Sequence, residues 1–381
     1  MELPDGVRGV LPNQWIAKAI AAGHVHSAFT IPDRNIQPAS LDLRLGETAY
    51  RLRCSFLPGA DTVEAKVAEY VMDEVDLIRG AILERDRPYL IPLMEELELP
   101  PHVHAKANPR SSTGRVDVFT RVVTDCSDRF DEIAPGYRGR LYLEVVPRSF
   151  AVRVERALSL NQLRLMVGDA RVADAELADV HRHDPLLYSN HEPVATLPVS
   201  RGLLLSLDLT GDERGVVGYR AKKNSRLLDL TQRDYHWGDF WEPVFREPQH
   251  RVVLEPEQFY LLLSAEAVRI PPGYAAEMAA FDPTSGELRT HYAGFFDPGF
   301  GDGGGLLGSR AALEVRAHDV PFVVENGQRV GRLTFERMAE PPTILYGEGI
   351  GSSYQRQQVM LSKHFSAGSP QDELRLLSDW P

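Results

Sequence analysis

Apolar and polar positions trade places along most of this chain with a period of two. SLDLRLG (40–46), GRLYLEVV (139–146), SFAVRVE (149–155), RVVLEPEQFYLLLS (251–264) and VPFVVE (320–325) alternate or run apolar, with Pro, Gly and Asp between them. That is the pattern of short strands whose successive side chains face opposite ways. One stretch keeps a helical period instead. NQWIAKAIAAG places Trp15, Ile16, Ala19 and Ile20 on one face, and Gly23 stands where the helix should stop. The 27 prolines and 30 glycines cut the rest into many short segments. The expected fold is mainly β, a barrel or sandwich with a few short helices.

The pattern also repeats. ASLDLRLG at 39–46 is echoed by LSLDLTG at 205–211, and LNQLRLM at 160–166 by NGQRVGRLTF at 326–335. Both echoes align at 166 residues, Ser40 with Ser206 and Gln162 with Gln328. Between them IAPGYRGRLYLEV is echoed by FDPGFG…SRAALEV, which pairs Glu144 with Glu314 at 170. The glycine-rich GDGGGLLG is the natural insertion there. Three echoes in one order predict two diverged copies of one β-domain. The expected units are 1–167 and 199–381. Segment 168–198 breaks the strand pattern and reads as a linker, with a short helix near Ala173–Val180.

Composition narrows the function. With 43% hydrophobic and 25% charged residues, the 381-residue chain reads as globular and long enough for two domains. A net charge of −12 argues against nucleic acid as a partner. No apolar run reaches the length of a membrane span, and the N-terminus lacks the features of a signal peptide, so a cytoplasmic location is expected. Two separated cysteines, Cys54 and Cys126, leave no disulfide framework and no CxxC zinc site. Three H-x-H pairs, His24/His26, His102/His104 and His181/His183, have no cysteine beside them and read as solvated surface histidines.

Against this acidic background PRSSTGR (109–115) stands out. As a bland loop it would turn at Pro109 and Gly114. As a site it would set Arg110 and Arg115 on phosphate oxygens, with Ser111 and Ser112 as further donors.

Its neighbours favour the second reading. IQPASLDLRLG, PRSSTGR and PGYRGRLYLEV in that order, followed by the tail YQRQQVMLSKHF, resemble the deoxycytidine triphosphate deaminase family within the trimeric dUTPase-like superfamily. The doubled form is similar to the tandem, long-chain members. The resemblance implies distorted β-barrels, sites shared between neighbouring barrels, and a homo-oligomer. It also implies hydrolysis of the 4-amino group of dCTP without zinc, with Mg²⁺ carried on the substrate triphosphate. The H-x-E…P-C-x-x-C set of the zinc deaminases is missing from this chain.

The two copies differ where the family's motifs fall. Copy two has DPTSGELR (282–289) in place of the phosphate loop, with Asp282 and Glu287 adding negative charge. The family's nucleoside motif, roughly A-x-x-[IF]-D-P-G…L-E, is kept in copy two as Ala293, Phe296, Asp297, Pro298 and Leu313-Glu314. In copy one its alanine is Phe130 and its aspartate Ala134. One intact site is therefore expected, from the loop of copy one and the pocket of copy two.

In that site Glu314 is the expected catalytic carboxylate, with Ser111 holding the water and Arg115 steadying carboxylate and phosphate. Glu144 is the less favoured alternative for the carboxylate. Arg110, Ser112, Ala293, Asp297, Tyr354, Gln357 and Lys363 are the expected substrate contacts. The family's lysine before the tail tyrosine is Ser353 here, and Lys363 or the Lys222–Lys223 pair are candidates to replace its charge. Two other activities stay open on sequence: dUTP diphosphatase, alone or joined to deamination, and a regulator that binds dCTP, dUTP or dTTP without turnover.

Overall fold

The computed structural model describes residues 7–279, 288–290, 294–302, 308–317, 319–347, 354 and 360–366. It is mainly β, as the alternation requires. In the first unit Asn161–Val167 pairs with Val103–Pro109 on one side and with Leu41–Leu43 and Gly9–Val10 on the other. A second sheet sets Arg138–Pro147 between Tyr89–Glu98 and Val118–Val123. In the second unit Arg329–Arg337 lies between Leu203–Ser206 and Tyr274–Ala279, while Ser309–Ala317 pairs with Phe259–Val268. No helix among the described residues is long and apolar enough to cross a membrane.

Strand register aligns the two units, and it corrects the repeat frame. Leu43 faces Asn161 while Leu205 faces Gly331, and Leu45 bridges Leu93 while Leu207 bridges Ser264. The carboxylate of Glu95 holds Arg44 just as that of Glu266 holds Ser206. Ser206 therefore matches Arg44, not Ser40. Gln162, which faces Asp42, matches Arg332, which faces Leu204, and not Gln328. The two SLDL strings are four residues out of step. In strands an even slip leaves every side chain on its original face, so the alternation alone could not detect the error. The Glu144–Glu314 match stands, because Leu143 faces Ile91 as Leu313 faces Leu262.

Segment 168–198 is not a linker. Asp174–His183 is a helix, and Leu187–Ser189 pairs with Phe259–Val268 as Val25–His26 pairs with Tyr89–Glu98. The segment thus repeats the opening Asn13–Ala21 helix and the short strand after it. Leu177, Leu186, Leu187 and Leu197 are buried in the second core. The strand pattern breaks here because Asp174–His183 is an amphipathic helix, with Leu177 and His181 buried and its charges on the outer face.

The units are joined by two patches that build the site. All seven residues of Asn161–Val167 are buried. Leu163, Leu165 and Val167 enter the first core. By alternation Gln162, Arg164 and Met166 face the second unit. Further along, Phe150 packs edge-on against Phe240 and Trp241, and Phe365 of the tail closes on both of these. This aromatic cluster draws second-unit and tail residues into the first core. It anchors residues 360–366 against the first unit.

Candidate active site

A cavity opens at the seam. Ser111 and Arg115 come to it from the first unit, and Phe296, Asp297, Glu314 and Tyr346 from the second, with Tyr354 between. Each is placed by ordinary strand and turn chemistry. Ser111 opens a single helical turn, Ser111–Gly114, that leaves the edge of strand Val103–Pro109. Asp297 follows the short strand Phe295–Phe296, and Gly299 at φ +95° turns the chain directly behind it. A side chain at Gly299 would collide with Leu345 and Tyr346. Tyr346 is fixed through Thr343, which exchanges hydrogen bonds of 2.7 and 3.0 Å with Asn13 of the first helix.

Glu314 is the chemically unusual member. It sits mid-strand, 7% exposed, and its Oε2 is buried without a hydrogen-bond partner among the described residues. Burial raises its carboxyl well above the usual range, Arg115 opposes this and Asp117 adds to it. Asp117 is itself buried, accepting from Ser149 and paired with Arg316. Asp297 is also buried, and burial lifts its carboxyl to about 6 against the pull of Arg164. Arg115 lies under the Tyr354 ring at 3.7 Å and donates to the Met360 carbonyl. The tail therefore covers the loop arginine. Ser362 Oγ donates to the Ser112 carbonyl, and the Lys363 amide to the Tyr354 hydroxyl.

Beside the cavity lies a cationic cluster. Arg110 pairs with buried Asp42 at 3.0 Å. Burial and the charges of Arg110 and Arg233 bring the Lys363 ammonium down to about 8, and the neighbouring His364 imidazole down to about 4. Cations crowded this way are costly until an anion joins them. Lys363, not Lys222–Lys223, stands by the loop. Lys222 donates to the Gly238 carbonyl and, with Lys223, lines a separate groove next to Glu242.

Of the expected residues, then, Ser111, Arg115, Asp297, Glu314 and Tyr354 line one cavity. Arg110, Ser112 and Lys363 flank it. Ala293 and Gln357 lie outside the described residues, as do Asp282 and Glu287. Glu144 is elsewhere, in an ion pair with Arg121 at 2.5 Å. Sequence reasoning missed Arg233 and Tyr346; each sits in a loop with no motif around it. His181 corrects the surface reading of the histidines. It is 6% exposed, its Nε2 donates to the Val194 carbonyl, and its Nδ1 accepts the Leu186 amide. No group of three or more His, Cys, Asp or Glu able to hold a metal occurs among the described residues.

Comparison with known proteins bears on the whole arrangement. The family model for the N-terminal domain of 2'-deoxycytidine 5'-triphosphate deaminase matches residues 7–169, and that for the C-terminal domain matches 173–365. The chain belongs to the 2'-deoxycytidine 5'-triphosphate deaminase family. Among solved structures it is similar to the crystal structure of 2'-deoxycytidine 5'-triphosphate deaminase from Agrobacterium tumefaciens. The identity is 47% and the TM-score 0.82, over 87% of this chain and 99% of that one. It is also similar to the dCTP deaminase of Halorubrum lacusprofundi, 33% identical over 115 residues, or 30% of this chain and 54% of that one. The dUMP-forming dCTP deaminase of Clavibacter michiganensis subsp. michiganensis is 31% identical over 181 residues, covering 45% and 87%. The chain spans little more than half the length of several curated relatives it matches. The family's C-terminal domain takes in most of segment 168–198, in keeping with its place in the second core.

Proposed function

We propose that this protein hydrolyses dCTP to dUTP and ammonia. The observation that carries the reading is Glu314, a buried carboxyl lining a cavity that a phosphate-type loop enters from the other unit, with one oxygen that has no partner among the described residues. A carboxyl raised in this way holds a proton more firmly than an ordinary one and can both accept and return it, as acid–base catalysis requires. Glu314 would remove a proton from a water oriented by Ser111 as its oxygen bonds to C4 of cytosine. The same carboxyl would pass that proton to N3, then take the second proton from the new C4 hydroxyl and give it to the departing amino group. The C4–N bond breaks as C4 becomes a carbonyl, so water and dCTP give dUTP and ammonia. Positioned proton transfer contributes ~10²–10⁴-fold, and the rest comes from orientation and from the fixed dipoles of a closed pocket.

Asp297 would hold the deoxyribose, while Arg110, Arg115 and Lys363 would take the triphosphate. Mg²⁺ would arrive on that triphosphate as part of the substrate, which suits a site rich in cations and poor in clustered carboxylates. The test is to incubate the protein with dCTP and with dUTP and to follow ammonia and pyrophosphate separately. Ammonia from dCTP without pyrophosphate is expected. Pyrophosphate from both substrates would make it bifunctional, and tight nucleotide binding with neither product would make it a regulator.

A further inference from the structure

Arg164 is a charge in the middle of an apolar strand, fully buried at 0% exposure. Its Nη1 donates to Glu336 at 2.7 Å and to the Ala276 carbonyl at 3.3 Å. Its Nη2 turns to Asp297 at 3.5 Å, and the guanidinium lies 3.9 Å from the centre of the Phe295 ring. Glu336 is bridged in turn by Lys106 at 3.3 Å, and Lys106 also holds Glu277 at 2.9 Å. A pair with Glu336 alone would satisfy the usual demand that a buried cation meet an anion. This arginine spends its second edge on a pocket residue. Phe295 and Asp297 line the cavity and Arg164 does not, so whatever it does there it does through them.

We infer that Arg164 is a positioning residue for the reaction, reaching across the seam to hold the Asp297 carboxylate ionised and fixed in the nucleoside pocket. The inference rests on the deaminase reading above. The groups that set the charge state of Asp297 are Arg164, which favours ionisation, and Asp42, which opposes it. Tyr346 also faces Asp297 across the cavity, and Glu336 draws on the same guanidinium. Burial already brings the Asp297 carboxyl to about 6 with the guanidinium in place. Without it the acid would be neutral at pH 7, and a charged acceptor for a substrate hydroxyl would become a donor. The first unit would thus contribute to sugar recognition as well as to phosphate binding.

The experiment compares the intact protein with Arg164→Lys, Arg164→Gln and the double variant Arg164→Gln/Glu336→Gln, which removes the ion pair as a unit and guards against misfolding. KM and kcat for dCTP are measured across pH, and the Asp297 carboxyl is titrated by carbon-13 NMR. In the double variant the acid-side rise of KM should move up by about two units, so that KM at pH 7 increases roughly tenfold. The kcat value should change much less, and Arg164→Lys should fall between. An unmoved KM limb, with only folded yield or kcat lowered, would leave Arg164 a scaffold residue and overturn the inference. If the unmodified protein releases no ammonia, the deaminase reading fails by itself. The carboxyl titration then decides, a rise on losing Arg164 supporting the positioning role and no change refuting it.

Discussion

Two glutamates at matching places in the repeat have come to opposite ends. Glu314 lies in a cavity, its acidity suppressed by burial and one oxygen without a partner among the described residues. Glu144 is as well buried, but Arg121 on the next strand reaches it with both Nε and Nη2. Arg121 is packed between Phe119 and Phe130 and donates to Ser55. Ser55 and Phe56 belong to a first-unit segment that ends in the helix Val63–Tyr70, and Phe56, Val63, Val67 and Tyr70 pack in one cluster with Val123, Tyr142 and Phe130. Where the second unit has Gly294, the first has Asp131, whose carboxylate accepts the Val122 amide at 2.7 Å. One copy keeps its carboxyl available at a cost in stability. The other has satisfied its carboxyl with Arg121, which makes it one half of a partly buried ion pair.

The sharpest break between the pockets is catalytic. Glu314→Gln keeps the shape of the side chain and removes the base, so kcat should fall by ~10³ or more with KM nearly unchanged. Glu144→Gln should leave kcat within a few-fold of the parent. Single-turnover ammonia release from dCTP reads both. Loss of chemistry in the Glu144 variant alone would mean that the wrong halves have been paired.

Next in size is the loop that the first unit keeps. Arg115 opposes through its charge the burial-driven rise of the Glu314 carboxyl, holds the tail and lines the cavity, so Arg115→Ala should lower kcat/KM by ~10²-fold or more, a desolvated charged contact being worth several kcal/mol. Arg289, on the second unit's strand Leu288–Thr290, should tolerate alanine with little change. Equal losses from the two substitutions, measured on dCTP, would make both pockets live.

A smaller effect tests the cationic cluster. Lys363 carries its proton below about 8 in the free protein and loses it above. Triphosphate affinity should therefore be highest below that pH and decline as pH rises through it. Lys363→Met should flatten the decline and weaken binding at pH 7 by roughly tenfold, the loss of one partly buried ionic contact. Calorimetric titration with dCTP at several pH values follows both. An alkaline decline that persists in Lys363→Met would assign it to another group.

How much of this could be read without coordinates depended on the kind of signal. Strands and the first helix followed from alternation and period. The expectation that the loop of one copy would meet the pocket of the other rested on substitutions such as Ala134 for Asp297, and the cavity is lined from both units. What failed was register: SLDL recurs at 206–209 by even slippage, and the eye aligns letters where the sheet aligns hydrogen bonds. The linker reading failed because DAELADVHRH (174–183) shows mostly its wet face. Arg233 and Tyr346 were invisible, since a lone residue in a loop reaches a site only through the fold of everything else. Arg164 left one trace, a charge at a strand position flanked by Leu163 and Leu165, where solvent exposure was the wrong default.

The smallest effect is on stability, and there the two glutamates should differ in sign. Glu144→Gln strands Arg121 without its anion. The arginine is a quarter exposed and keeps its aromatic contacts, so the cost should be roughly 2 kcal/mol, below that of a fully buried pair, and Tm should drop by several degrees. Glu314→Gln should do the reverse. With pH rising from acid, the unfolded chain releases the Glu314 proton near its ordinary pKa of about 4.3. The folded protein holds it to a higher pH. Between those points the native state binds more protons than the unfolded one, so stability falls as pH rises. Glutamine carries no such penalty. The Glu314→Gln protein should therefore melt above the parent at pH 7 to 8, and the gain should vanish near pH 4, where both forms are neutral. Thermal scans of the two variants against the parent over that range would show it. A Glu314→Gln protein that melts below the parent at every pH would mean that the carboxylate is satisfied in the fold, and the pocket would then have lost its reason to be reactive.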